Sequence, residues 1–132
     1  MAFFEDVTTK RGTNMRTPAN PLDSLVFPPE IDAHMRALIA RVGGEFWGRG
    51  VIEPKTRSLT TMAVLCTRNL QAELALHVRL GIERYGASRE EICEVIAHCA
   101  LYASFPTAVA AFRTVAEVFA TLDALDAAEP SD

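Results

Sequence analysis

Apolar residues recur along this chain at helical rather than strand spacing. Ile31, Met35, Leu38, Ile39 and Val42 repeat every three or four positions behind Pro28 and Pro29. The pattern predicts a first helix that stops at Gly43-Gly44. Proline is tolerated in a first helical turn, and Glu30 and Asp32 suit the positive N-terminal end. Pro54 opens a second helix carrying Leu59, Met62, Ala63, Leu65 and Cys66. Asn69 is the expected cap of a third, which holds Leu70, Leu74, His77 and Leu80. Ser88 and Glu91 have the spacing of a capping box for a fourth, with Ile92, Val95, Ile96 and Cys99 on one face. Pro106 starts a fifth, through Phe112, Val115, Val118, Phe119 and Leu122. No segment alternates with period two long enough to predict a strand. The fold class is all-α, with one compact helical domain over residues 28–125.

The flanks read differently. Residues 1–27 mix Thr8, Thr9, Gly12, Asn14, Pro18, Asn20 and Pro21 without a sustained period. Such a stretch cannot bury enough alone to offset its ordering entropy, so it is expected as an N-terminal arm. Phe3, Phe4, Leu25 and Phe27 are the residues by which it would lie along a neighbour. Residues 126–132 read as an acidic tail.

Composition adds a partner to this picture. The chain has 132 residues, enough for one domain, yet 49% are apolar and 23% charged. Mean hydropathy is +0.12. Small domains have much surface to cover with polar groups, so the excess predicts surface buried against another copy of the chain. A net charge of −4 argues against nucleic-acid binding, which needs a basic footprint. There is no apolar run of about 18 residues to span a membrane, and no secretory signal near the start. Three cysteines, Cys66, Cys93 and Cys99, are an odd count and read as reduced thiols in a cytoplasm. Cys93 and Cys99 fall on different sides of a helix, which suits core cysteines rather than a vicinal redox pair.

Chemistry is expected where polar groups sit on apolar helix faces. Glu73 and His77 are four apart on the third helix, which places carboxylate and imidazole one turn apart. A carboxylate there can fix the imidazole tautomer and raise its pKa, as a proton-transfer histidine requires. A surface Glu–His pair, or a core histidine bonded to a carbonyl, would show the same spacing. His34, His77 and His98 lack HxxxH or HExxH spacing, so no metal site is expected.

Read in order, a longer pattern emerges. Trp47-Gly48-Arg49-Gly50-Val51 is followed by Pro54-Lys55-Thr56-Arg57-Ser58-Leu59 and by Glu73-Leu74-Ala75-Leu76-His77-Val78-Arg79. Gly86, Glu90-Glu91-Ile92, Glu94-Val95, Tyr102, Pro106 and Ala111-Phe112 complete it. Over roughly half its length the chain thereby resembles the carboxymuconolactone decarboxylase family. The resemblance implies an alkylhydroperoxidase D-like helical fold, assembled as a trimer or hexamer. It further implies a cytoplasmic, cofactor-independent lyase of aromatic-compound catabolism that decarboxylates a small carboxylated lactone or related acid. In that reaction His77 protonates a dienolate and Glu73 orients it, while Arg49 and Arg79 are candidates for holding carboxylates. Trp47, Tyr102 and Phe105 are candidates for apolar walls, and the partners implied are a small-molecule substrate and further copies of the chain.

Two other readings stay open: a thiol-dependent peroxidase and a member without catalysis. The peroxidase relatives carry CxxC where this chain has Leu70 and Glu73, which removes the nucleophile of their disulfide cycle. Ser104-Phe105, Val109 and Glu83-Arg84-Tyr85 depart from the usual decarboxylase pattern. His77 is expected to be partly buried beside Glu73, with the carboxylate prevailing over burial and keeping the imidazole protonated near neutral pH.

Overall fold

Five helices follow one another in the computed structural model, which describes residue 20 and residues 25–129. They are α1 (Asp32–Trp47), α2 (Pro54–Thr67), α3 (Gln71–Arg84), α4 (Arg89–Tyr102) and α5 (Phe105–Ala128). Among the described residues there is no strand. Among the same residues no helix is long and apolar enough to cross a membrane. Phe3 and Phe4 of the expected arm lie outside the described residues.

Helices α2 to α5 form a four-helix bundle. Helix α2 packs against α3 and α4, and α5 packs against the same two, so α3 and α4 occupy diagonal corners. Lys55 at the start of α2 pairs with Glu91 at the start of α4, Nζ to Oε2 3.1 Å. Further along, the Cys99 thiol donates to the Ala63 carbonyl at 3.9 Å. Helices α2 and α4 therefore run side by side in the same direction. Their shared interior holds Met62, Cys66, Leu74, Val78, Ile92, Ile96, Ala111, Val115 and Leu122. Each is at most 2% exposed, so truncating one of the larger ones to alanine should cost about 2–5 kcal/mol.

Backbone chemistry explains where the helices stop and start. Ser88 and Glu91 form the expected capping box, with both reciprocal bonds in place at 3.0 Å and 2.9 Å. Ser104 caps α5 by accepting from the Thr107 amide. That gives one departure from the family pattern a plain structural use.

Two expected boundaries need correction. Asn69 does not cap α3. It sits at φ 57° after the end of α2. Its amide donates to the Cys66 carbonyl, and the Leu70 amide donates to Leu65. That is a Schellman closure of α2, with Asn69 as its left-handed residue. Nor does α1 stop at Gly43-Gly44; it runs through both glycines and on to Trp47. Two glycines cost a helix about 1 kcal/mol each relative to alanine. The last turn persists because Trp47 is anchored, its ring 4.8 Å from that of Tyr85, beside Leu76 and Leu80.

That anchor is the firm attachment of α1, which contains no buried residue. At its other end Arg36 bonds Asp32 at 3.0 Å and donates to the Leu25 carbonyl at 2.6 Å. One position on α3 sets how closely α2 can approach. A Cβ at Gly81 would lie 2.4 Å from the Met62 methyl and 3.0 Å from the Ser58 hydroxyl.

Candidate active site

Helix α3 carries the expected pair. His77 is half-buried in the middle of the helix, and Glu73 is exposed one turn earlier. Burial holds the His77 imidazole below the usual histidine range; the Glu73 charge opposes this and does not overcome it. The expectation of a protonated imidazole is therefore corrected. Glu73 stands in solvent, where water screens its field, whereas the ring is partly withdrawn from solvent and is harder to charge. His77 is held neutral near pH 7 in the free chain.

The other candidates are spread over the surface. Trp47 brings the end of α1 against Leu76 and Leu80, the latter nearly one turn beyond His77. Arg49 follows on the exposed loop between α1 and α2. Arg79 is committed elsewhere: its Nε bonds Glu83 Oε1 at 2.9 Å, and the Glu83 side chain is only 3% exposed. Tyr102 and Phe105, 81% and 69% exposed, lie at the corner between α4 and α5. The Tyr102 ring contacts His98 rather than the α3 pair, at 4.9 Å between centroids. Val109 is likewise 47% exposed. The structure thus brings Trp47 to the C-terminal end of α3, leaves Arg49 exposed on its loop, and sets Tyr102 and Phe105 at the α4–α5 corner.

Three groups escaped the sequence reasoning. Buried Glu83 had no signal beyond its spacing to Arg79. Cys66 and Cys99, both buried, meet across α2 and α4. Burial first, and the adjacent Cys99 second, push the Cys66 thiol up to about 11. Nothing in their spacing announces this contact, which depends on two helices running parallel. Glu94 and His98 did leave a signal, since they repeat the Glu-x3-His spacing of Glu73 and His77. Among the described residues no three His, Cys, Asp or Glu side chains are grouped to hold a metal ion.

Two known proteins are similar to this chain in sequence. The chain is 40% identical over 79 residues to a 4-carboxymuconolactone decarboxylase of Acinetobacter baylyi, covering 60% of this chain and 58% of that one. It is 34% identical over 68 residues to a nitrosuccinic acid decarboxylase of Metarhizium robertsii, covering 52% of this chain and 47% of that one. The chain thus spans about half the length of these relatives. The model of the carboxymuconolactone decarboxylase family matches residues 28–117, from the start of α1 through most of α5, and the chain belongs to that family.

Proposed function

We propose that the chain is a cofactor-independent decarboxylase of a small acid whose departing carboxylate sits on a carbon linked to an electron sink. The two relatives act, by name, on 4-carboxymuconolactone and on nitrosuccinic acid. In the first molecule the sink is an alkene conjugated with a lactone carbonyl, and in the second a nitro group. Loss of carbon dioxide breaks a C–C bond and leaves the electron pair spread into the sink, as a dienolate or a nitronate. What the protein must supply is stabilisation of that charge and a proton for carbon.

The observation that carries the reading is the half-buried imidazole of His77, one helical turn from the Glu73 carboxylate. Bringing an anionic substrate beside the neutral ring raises its proton affinity, so in the complex the ring takes a proton from solvent. It delivers that proton to the carbanionic carbon once carbon dioxide has left, and returns to its neutral form. Glu73 orients the ring. Trp47, packed at the C-terminal end of α3, is the apolar wall in this reading. Arg49, two residues further along and exposed, is the cation it assigns to a substrate carboxylate. Arg79 then serves chiefly to neutralise buried Glu83.

The working form in this reading is a homo-oligomer, a trimer or hexamer. Supporting it, α1 has no fully buried residue, and Leu101, Tyr102 and Phe105 are all at least 69% exposed. The thiol-peroxidase alternative is poorly served, because a buried thiol with a pKa of about 11 forms almost no thiolate at neutral pH.

Carbon dioxide release from 4-carboxymuconolactone and nitrosuccinic acid tests the proposal. His77→Ala should lower turnover of whichever is accepted by roughly 10²–10⁴-fold, and Glu73→Gln by less. Turnover of His77→Ala within about threefold of the parent would reduce His77 to a structural role.

A further inference from the structure

On the side of the bundle away from α3, helices α2 and α4 leave a groove of about 470 Å³. Thr56, Leu59, Thr60 and Ala63 form one wall, and Glu94, Val95 and His98 form the other. That volume falls within the range of small-ligand sites, roughly 300–1,000 Å³. The groove is also held at a fixed width. The Lys55–Glu91 ion pair closes α2 on α4 at one end, and the Cys99–Ala63 bond does so at the other. A site whose walls do not have to move loses less on binding.

The polar atoms in it have a definite sense. The Thr60 hydroxyl gives its proton to the Thr56 carbonyl at 2.8 Å, so toward the groove it offers lone pairs. The Glu94 carboxylate offers only lone pairs, and no described residue bonds to it. Lys55, one turn before Leu59 on α2, is committed to Glu91. His98, steadied by the Tyr102 ring, can donate or accept. The groove is therefore rich in acceptors, carries uncompensated negative charge, and is floored by hydrocarbon. It repels the anionic substrate class proposed for the α3 site.

We propose that the α2–α4 groove is a second ligand site, which takes a compact apolar molecule bearing a protonated amine, seated on Glu94 with its hydrocarbon against Leu59, Ala63 and Val95. The site is independent of the decarboxylase reading, since α3 and α4 stand at diagonal corners of the bundle. Neither Glu94 nor His98 has a part in the proton transfer assigned to His77.

Imidazole NMR on the whole chain tests this directly, because His34, His77 and His98 are its three histidines. Benzylamine should shift the His98 resonance saturably and leave His77 unmoved. Benzyl alcohol, its neutral analogue, should bind more weakly, and benzoate should not bind. Glu94 is exposed, and exposed ion pairs contribute modestly, so Glu94→Gln should weaken benzylamine by about three- to fivefold. The same variant should leave benzyl alcohol within about twofold, and decarboxylase turnover unchanged. Absence of saturation, benzoate binding as tight as benzylamine, or indifference to Glu94→Gln would each overturn the proposal. So would His98 shifts that follow protein concentration while benzylamine is refused, for then a second copy of the chain fills the groove.

Discussion

A single imidazole shows how far residue-level reading reaches. The pairing of Glu73 with His77 was legible because helical spacing fixes which side chains share a face. The balance between burial and charge was not, because exposure is settled by neighbours on other helices. Since burial prevails, the folded pKa of His77 lies below the ordinary value of 6.5. Between the two values the unfolded chain binds a proton that the folded chain refuses. Stability therefore rises with pH through that window; it is complete above the unfolded value and is lost as pH falls through the folded one. Urea midpoints at about pH 5 and about pH 7.5 should differ more for the parent than for His77→Gln. Equal differences would show that His77 is not held neutral by the fold. Cysteine chemistry belongs at this scale too. Cys66 should resist iodoacetamide, being fully buried and rarely ionised, while half-buried Cys93 reacts first. Faster labelling of Cys66 than of Cys93 in the native chain would contradict the placement described above.

Among the helices, the sequence and the structure agree wherever a local rule is strong. The Ser88 capping box and the proline starts at Pro54 and Pro106 all stand near their expected places. Disagreement falls where two local rules compete. Asn69 suits both a helix N-cap and a left-handed C-terminal position, and tertiary geometry chose the second. Gly43-Gly44 reads as a stop, yet a distant aromatic contact at Trp47 carries α1 through it. The two kinds of helical glycine should then respond oppositely to alanine. At Gly44 an added Cβ meets nothing within 4 Å. Gly44→Ala should stabilise by about 0.5–1 kcal/mol, through reduced freedom of the unfolded chain. Gly81→Ala should destabilise by about 1–3 kcal/mol, because the Met62 methyl must shift inside a filled core. Chemical denaturation of both variants reads the signs. A stable Gly81→Ala chain would mean that α2 and α3 are packed less tightly than the structure has them.

At the scale of the whole molecule, one number from the sequence and one feature of the fold point the same way. Nearly half of the residues are apolar, more than the small core of one short chain needs. The structure shows where the surplus goes. It is left outside, on α1, where Val42 and Phe46 are 41% and 57% exposed, and at the α4–α5 corner, where Leu101, Tyr102 and Phe105 stand out. In the proposed assembly these are the side chains that another copy would cover. A single helix attached at one end is also poorly held by its own chain. Covering both patches with copies of the same chain would remove the exposure and fix α1 together. Light scattering at micromolar concentration should thus give a multiple of the 14.4 kDa chain mass. Phe46→Asp or Leu101→Asp should shift the distribution toward the single chain while helical circular dichroism is retained, because neither side chain contributes to the buried core. A parent chain of 14.4 kDa at these concentrations would remove the assembly from the proposed function and leave α1 as a weakly docked helix, open to early proteolysis.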